Sequence, residues 1–230
     1  NPDLVTGRDN KARWNQPDTR RHGFHNLHTR MRYALSLRAP SVLPLTKQID
    51  WTIRKHPGVE DILEASHFSA FCVVRGEHVI YEAYAPDFGA DRTHSIQSIT
   101  KMAVNLMLGR AVADGQVDMS RTMGSYLPEL GSGYADATVR DTADMNVAND
   151  FTEDYSDPLG GSFGMETAMG WRLPLEGDDE PTIREFVAAV TGGDLENRTG
   201  HHLYKSTNTD ALAWLIEQES GKSLREWLIE

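Results

Sequence analysis

The stretch "HSIQSITKMAVNLMLGRAVADG", residues 94–115, decides how the rest of the chain is read. Turn-forming residues precede it. From Ser98 onward, Ile99, Met102, Ala103, Leu106, Met107 and Ala111 recur at helical spacing, and Gly115 is a plausible stop. The pattern predicts a helix that opens at Ser98 and carries Lys101 on the same face, three residues on. A Ser-x-x-Lys match alone arises by chance roughly once in a chain of this length. Its position gives it weight. If the apolar neighbours bury the helix start, burial and the positive helix end both disfavour an ammonium there. Lys101 is then expected to be neutral at pH 7 and able to take the Ser98 proton. The competing reading makes Ser98 an N-cap and lets Lys101 reach solvent.

Upstream, "FSAFCVVRGEHVIYEAYA" (residues 68–85) holds two runs rich in Val, Ile, Tyr and Phe around "RGEH". This predicts a β-hairpin with a short turn. Cys72, the single cysteine, lies in the first run and reads as an inert core thiol; no internal disulfide can form. Residues 46–63 show short helical patches. Residues 1–50 form a basic arm without clear periodicity, with nine Lys and Arg against four Asp. Since the whole chain carries −11, the remainder carries −16. So acidic a body argues against nucleic-acid binding. The arm reads as a solvated surface segment. Charged residues make up 25% of the chain and apolar runs are short, which excludes a bilayer-spanning segment. No secretory leader pattern opens the sequence, and a cytoplasmic location is expected. The start at Asn1 leaves a removed leader open.

Downstream, "TVRDTADM" predicts a short helix and residues 146–181 read as loop. Thr182 with Glu185 and Ser223 with Glu226 are capping boxes that open helices. "NTDALAWLIEQESG" is a further helix ending at Gly221. The last capped helix ends after about two turns, and the chain offers only two convincing strands. The expectation is therefore an N-terminal part of a larger fold, completed by a C-terminal fragment or second chain. Expected divisions are a basic arm (1–50), an N-terminal helix and hairpin (51–97), a mostly helical part (98–215), and a helix leading onward (216–230).

A second cluster stands before the later helix. "HHLYKSTNTD" places Tyr204, Ser206 and Asn208 close together. Tyr204 could relay protons if a lysine lowered its pKa. It could equally be a half-buried structural tyrosine, with Asn208 capping the helix.

Taken in order, these residues resemble the serine β-lactamase and penicillin-binding-protein superfamily. The likeness is greatest to its class C-like branch, with esterases and 6-aminohexanoate-dimer hydrolases. It rests on the hairpin, on "SITKMAVNLMLGRAVADGQVDMSRTMGSYLPEL", on "ATVRDTADM", on "YKSTN" and on "SGKSLREWL", covering about residues 65–230. The resemblance implies an α+β fold, an antiparallel sheet flanked by helices with a mostly helical insertion. It also implies a serine hydrolase cleaving amide or ester bonds of small molecules without metal or organic cofactor. Ser98 would be the acylated nucleophile, Lys101 its base and Tyr204 the second acid/base, with the Ser98 N–H in an oxyanion hole. Tyr155, Ser206 and Asn208 would face substrate. Ser206 stands where class C antibiotic hydrolases have Asn, which favours amidase or esterase chemistry. "MNVAND" replaces the family's usual turn, and its third box, on a C-terminal strand, is absent. A non-catalytic binding or scaffold protein on the same fold is the alternative.

Other patterns compete less well. "GGSFG" (residues 160–164) matches the Gly-x-Ser-x-Gly nucleophile elbow, with His201 or His202 following. No strand precedes Ser162, so a flexible loop is expected instead. His22, His25 and His28 lack an accompanying carboxylate pattern and read as surface histidines. The acidic loops, Asp150, Glu153, Asp154 and Asp157 with Glu176, Asp178, Asp179 and Glu180, read as solvated. At a site mouth they would attract ammonium-bearing substrates.

Overall fold

The hairpin forms where the alternating pattern puts it. Strands β2 (Ala70–Arg75) and β3 (His78–Tyr84) pair antiparallel, with a bulge between Val73 and Val74. Gly76 makes the turn at φ +58°, the left-handed region glycine enters without strain. A short strand β1 (Thr46–Lys47) lies parallel to β3, giving the order β1-β3-β2. The sheet is therefore mixed, one short parallel pair beside the expected antiparallel hairpin. These elements come from a computed structural model that describes residues 14–29, 40–157 and 160–230. Of the expected basic arm, residues 1–13 and 30–39 lie outside the described residues.

The described residues divide into two compact units, one of 14–27 with 40–95, the other of 28–29 with 96–230. In the first, helix α1 (Arg20–His25) occupies a stretch read as irregular, and α2 (Pro57–Glu64) opens with proline at its first turn. The arm is partly taken up internally. Arg21 donates to Asp87 from Nε at 2.8 Å, and its pull holds the Asp87 carboxyl down at about 2. His25 is half-buried, with Nε2 2.8 Å from Ser69 Oγ; His22 and His28 are exposed. Cys72 is exposed, contrary to the expected core thiol. It shares a face of β2 with Ala70 and Val74, and nothing among the described residues covers that face.

The second unit is helical. A 3-10 turn (Gln97–Thr100) leads into α3 (Lys101–Ala113), and α4 (Val139–Ala143), α5 (Gly161–Ala168), α6 (Ile183–Ala188), α7 (Ser206–Ser220) and α8 (Leu224–Ile229) follow. Both predicted capping boxes form, Thr182 with Glu185 and Ser223 with Glu226. Helix α7 is the hub: it packs against α3, α4, α6 and α8, and buries Ala211, Leu212, Leu215 and Ile216 completely or nearly so. It ends at Gly221, φ +67°. It also runs unbroken through the boundary expected after residue 215. The "GGSFG" segment is not a flexible loop but the start of α5. A Cβ on Gly161 would stand 2.9 Å from the Phe151 ring, and one on Gly164 2.9 Å from the Phe186 ring. Close packing, not flexibility, calls for these glycines.

Candidate active site

Ser98 sits in the 3-10 turn, one turn ahead of the regular helix, and caps nothing. The residue before it, Gln97, holds φ at +44°, an uncommon conformation for a non-glycine residue and a local strain. Ser98 Oγ lies 2.6 Å from the Tyr204 hydroxyl and accepts a hydrogen bond from Lys101 Nζ at 3.0 Å. Lys101 Nζ also stands 5.3 Å from the centre of the Tyr204 ring. Residues 106 apart in sequence thus share one hydrogen-bonded chain.

Tyr204 feels opposing influences. Burial works to raise its pKa, but hydrogen bonds with Lys101 and Ser98, the Lys101 charge and Ser206 together hold it below the ordinary tyrosine value. Tyr204 remains 43% exposed, so a substrate can reach it. Lys101 is half-buried; Ile99 in the 3-10 turn and Met102 and Leu106 on α3 are exposed side chains among the described residues. The buried helix start on which a neutral lysine was expected is therefore not found there; burial begins deeper, at Met107 and Leu108.

The loop "MNVAND" holds the Tyr204 segment from behind. Leu203 N–H donates to Met145 C=O at 2.6 Å. Lys205, buried, donates to Asn149 C=O at 2.7 Å and to Asn149 Oδ1 at 2.6 Å. Asn149 Nδ2 in turn donates to Gly133 C=O at 3.1 Å. Burial pulls Lys205 down to about 8. These bonds fix the backbone on both sides of Tyr204.

The three residues expected to face substrate separate. Tyr155 is 41% exposed and donates its hydroxyl proton to Glu153. Burial first, then that hydrogen bond, push its phenol well above the ordinary value, so it stays neutral. Ser206 is half-buried, and its N–H and hydroxyl both donate to Glu153, at 2.6 and 2.8 Å. Asn208 is fully buried, which corrects the expectation that it contacts substrate or caps a helix. Its Oδ1 accepts from Tyr134 at 2.7 Å and its Nδ2 donates to Thr142 C=O at 3.3 Å, while Lys205 is the N-cap of α7. Position 208 points into the helical core.

Glu153 was read as one solvated acid among several. Instead it accepts from Tyr155 and from Ser206, joining two elements of the site. Its importance comes from a contact 53 residues away in sequence. Asp210, also unremarked in the sequence, has a buried Oδ2 beside this cluster. Ser162 is fully buried and donates to Asp154 C=O at 2.8 Å, which removes it as a nucleophile. Among the described residues no group of His, Cys, Asp and Glu is placed to hold a metal ion. No helix among them is long and apolar enough to cross a membrane.

The hairpin and the helices packed around α7 have the serine β-lactamase-like fold. Residues 59–230 match the beta-lactamase family, and the chain belongs to it. It is 30% identical, over 223 residues, to the 6-aminohexanoate-dimer hydrolase of Paenarthrobacter ureafaciens, covering 96% of this chain and 56% of that protein. A solved structure from Bacillus anthracis, provisionally given the same name, superposes with a TM-score of 0.72 at 18% identity. That likeness covers 96% of this chain and 59% of the other and concerns the fold. The chain thus spans somewhat over half the length of these relatives.

Proposed function

We propose that this chain carries the nucleophile half of a serine hydrolase that cleaves amide or ester bonds of small molecules through an acyl-enzyme on Ser98. The observation that carries the reading is the simultaneous bonding of Ser98 Oγ to Tyr204 and to Lys101. The 2.6 Å contact makes Tyr204 the nearest proton acceptor, and its lowered pKa favours the phenolate. Lys101 donates to the same oxygen and stabilises the negative charge that develops there. In acylation the Ser98 Oγ–carbon bond forms while the serine proton moves to Tyr204. That proton then passes to the leaving nitrogen or oxygen as its bond to carbon breaks. Water then gives a proton to Tyr204 as it attacks the acyl carbon; the Ser98 Oγ–carbon bond breaks, Tyr204 returns the proton to Ser98 Oγ, and the carboxylic acid leaves.

Among substrates, a short linear amide with a free ammonium fits best. One relative is named for the 6-aminohexanoate dimer, a molecule of that kind. The pair Glu153 and Tyr155 supplies an anionic, hydrogen-bonding wall next to the Tyr204 segment. The test is turnover of short amides and p-nitrophenyl esters by the complete protein and by Ser98→Ala. The variant should lose measurable turnover; near-normal activity would overturn the assignment.

A further inference from the structure

Helix α1 (Arg20–His25) lies in the stretch read from the sequence as a solvated arm, yet within the first unit it is bonded on several sides. Arg21 donates from Nε to Asp87 Oδ2 at 2.8 Å, pairs with Asp87 again through Nη2, and reaches Phe68 C=O through Nη1. Phe24 C=O accepts from Ser95 N–H at 2.8 Å, and His25 C=O accepts from the Thr93 hydroxyl at 3.0 Å. Trp14 closes on Gly23, where a Cβ would stand 2.2 Å from Trp14 C=O. Six residues are thus tied both to the chain just ahead of β2 and to the segment 87–95 that follows β3. The side chains in between form an aromatic cluster around His25. Its ring centre lies 4.6 Å from that of Phe88 and 5.3 Å from that of His94, and its Nε2 is 2.8 Å from Ser69 Oγ. Phe24 and Phe88 also pack on the His94 ring, at 5.8 and 5.7 Å.

We propose that α1 is a pH-sensitive strap: with His25 neutral it closes on the segment 87–95, and protonation of His25 in mildly acidic solution releases it. The charged and titratable groups that act on His25 are Arg21 and His22 from its own helix and Asp87 and His94 from the segment after β3; from the β2 side it meets the Ser69 hydroxyl. A proton on His25 places a positive charge among aromatic rings, one helical turn from the Arg21 guanidinium. Asp87 opposes this, but both of its oxygens already serve Arg21. Partial burial first, then the Arg21 and His94 charges, lower the His25 pKa. The open strap, with His25 in water, therefore binds the proton more readily than the closed one. Closure is at full strength above about pH 6.5 and weakens as the pH falls below that value. Asp87, held at about 2, stays ionised throughout, so the Arg21 pair does not cause the change. Opening frees the Ser95 N–H, three residues ahead of Ser98 in the sequence. This inference does not depend on the catalytic reading.

The test is hydrogen-exchange mass spectrometry of the complete protein at about pH 7.5 and 5.5, on either side of the ordinary histidine value, with rates corrected for the intrinsic effect of pH. Wild type, His25→Gln and Arg21→Ala are compared. In wild type, protection of the peptides covering 20–26 and 93–95 should fall several-fold at the lower pH, while that of β2 and β3 holds. His25→Gln keeps a polar group beside Ser69 but cannot take up the proton, and should lose this fall. Arg21→Ala should show low protection at both pH values. Equal wild-type protection at the two pH values, or an undiminished fall in His25→Gln, overturns the proposal. If the variants do not fold, NMR titration of His25 in wild type decides: a midpoint below about 6.5 supports the strap, and one at or above it overturns the proposal.

Discussion

Lys205→Met tests how the Tyr204 segment is held. The ammonium is buried, 7% exposed, and its pKa falls from 10.5 to about 8. Keeping it charged in the folded protein at pH 7 therefore costs about 3 kcal/mol relative to the unfolded chain. Its bonds to Asn149 C=O and Oδ1 work the other way. Methionine fills the same space but leaves both acceptors unpaired, at about 1–3 kcal/mol each. The two effects nearly cancel at pH 7, where the variant should be at most modestly destabilised. They do not cancel at high pH. Between about pH 8 and 10.5 the unfolded chain binds the Lys205 proton and the folded chain does not, so wild-type stability rises as pH rises through that window. Lys205→Met lacks this rise. Urea melts of the complete protein at pH 7 and 10.5 should therefore show the penalty of the substitution growing by about 3 kcal/mol. A penalty independent of pH would refute the argument, because the ammonium would then not be desolvated by the fold.

Three further outcomes follow from the site. Tyr204→Phe removes the nearest proton acceptor and should lower kcat about 10²–10⁴-fold while leaving the thermal midpoint within a few degrees; unchanged kcat would contradict the proton path. Tyr134→Phe leaves Asn208 Oδ1 without its 2.7 Å donor in a fully buried position and should destabilise by about 1–3 kcal/mol in denaturant melts. A Cβ on Gly133 would stand 2.6 Å from Val190 C=O, so Gly133→Ala should cost about 1–3 kcal/mol and, by shifting the Asn149 anchor, slow acylation of Ser98.

Features set by three or four neighbouring residues were legible in the sequence. The hairpin, the two capping boxes and the Gly221 stop each depend on local hydrogen bonding, and each forms. The Ser98–Lys101 bond is likewise a one-turn relation. What the sequence concealed depends on distant partners. Gly161 and Gly164 look like loop residues until Phe151 and Phe186 are seen packed on them. Glu153 is one acid among many until Ser206 selects it. Asn208 and Ser206 share a polar motif, but the helix turns one into the core and the other towards Glu153. Cys72 lies in a run apolar enough for two buried faces, whereas one face of its strand is uncovered among the described residues. The strand β1 escaped notice because two exposed residues, Thr46 and Lys47, carry no apolar alternation.

The central claim is that Ser98 is the nucleophile. The direct measurement is mass spectrometry of the complete protein after a fluorophosphonate, with and without Ser98→Ala. The account predicts one added phosphonyl group on the peptide containing Ser98, absent in the variant and much slower in Tyr204→Phe. An adduct elsewhere, or no adduct from a folded protein, would contradict it.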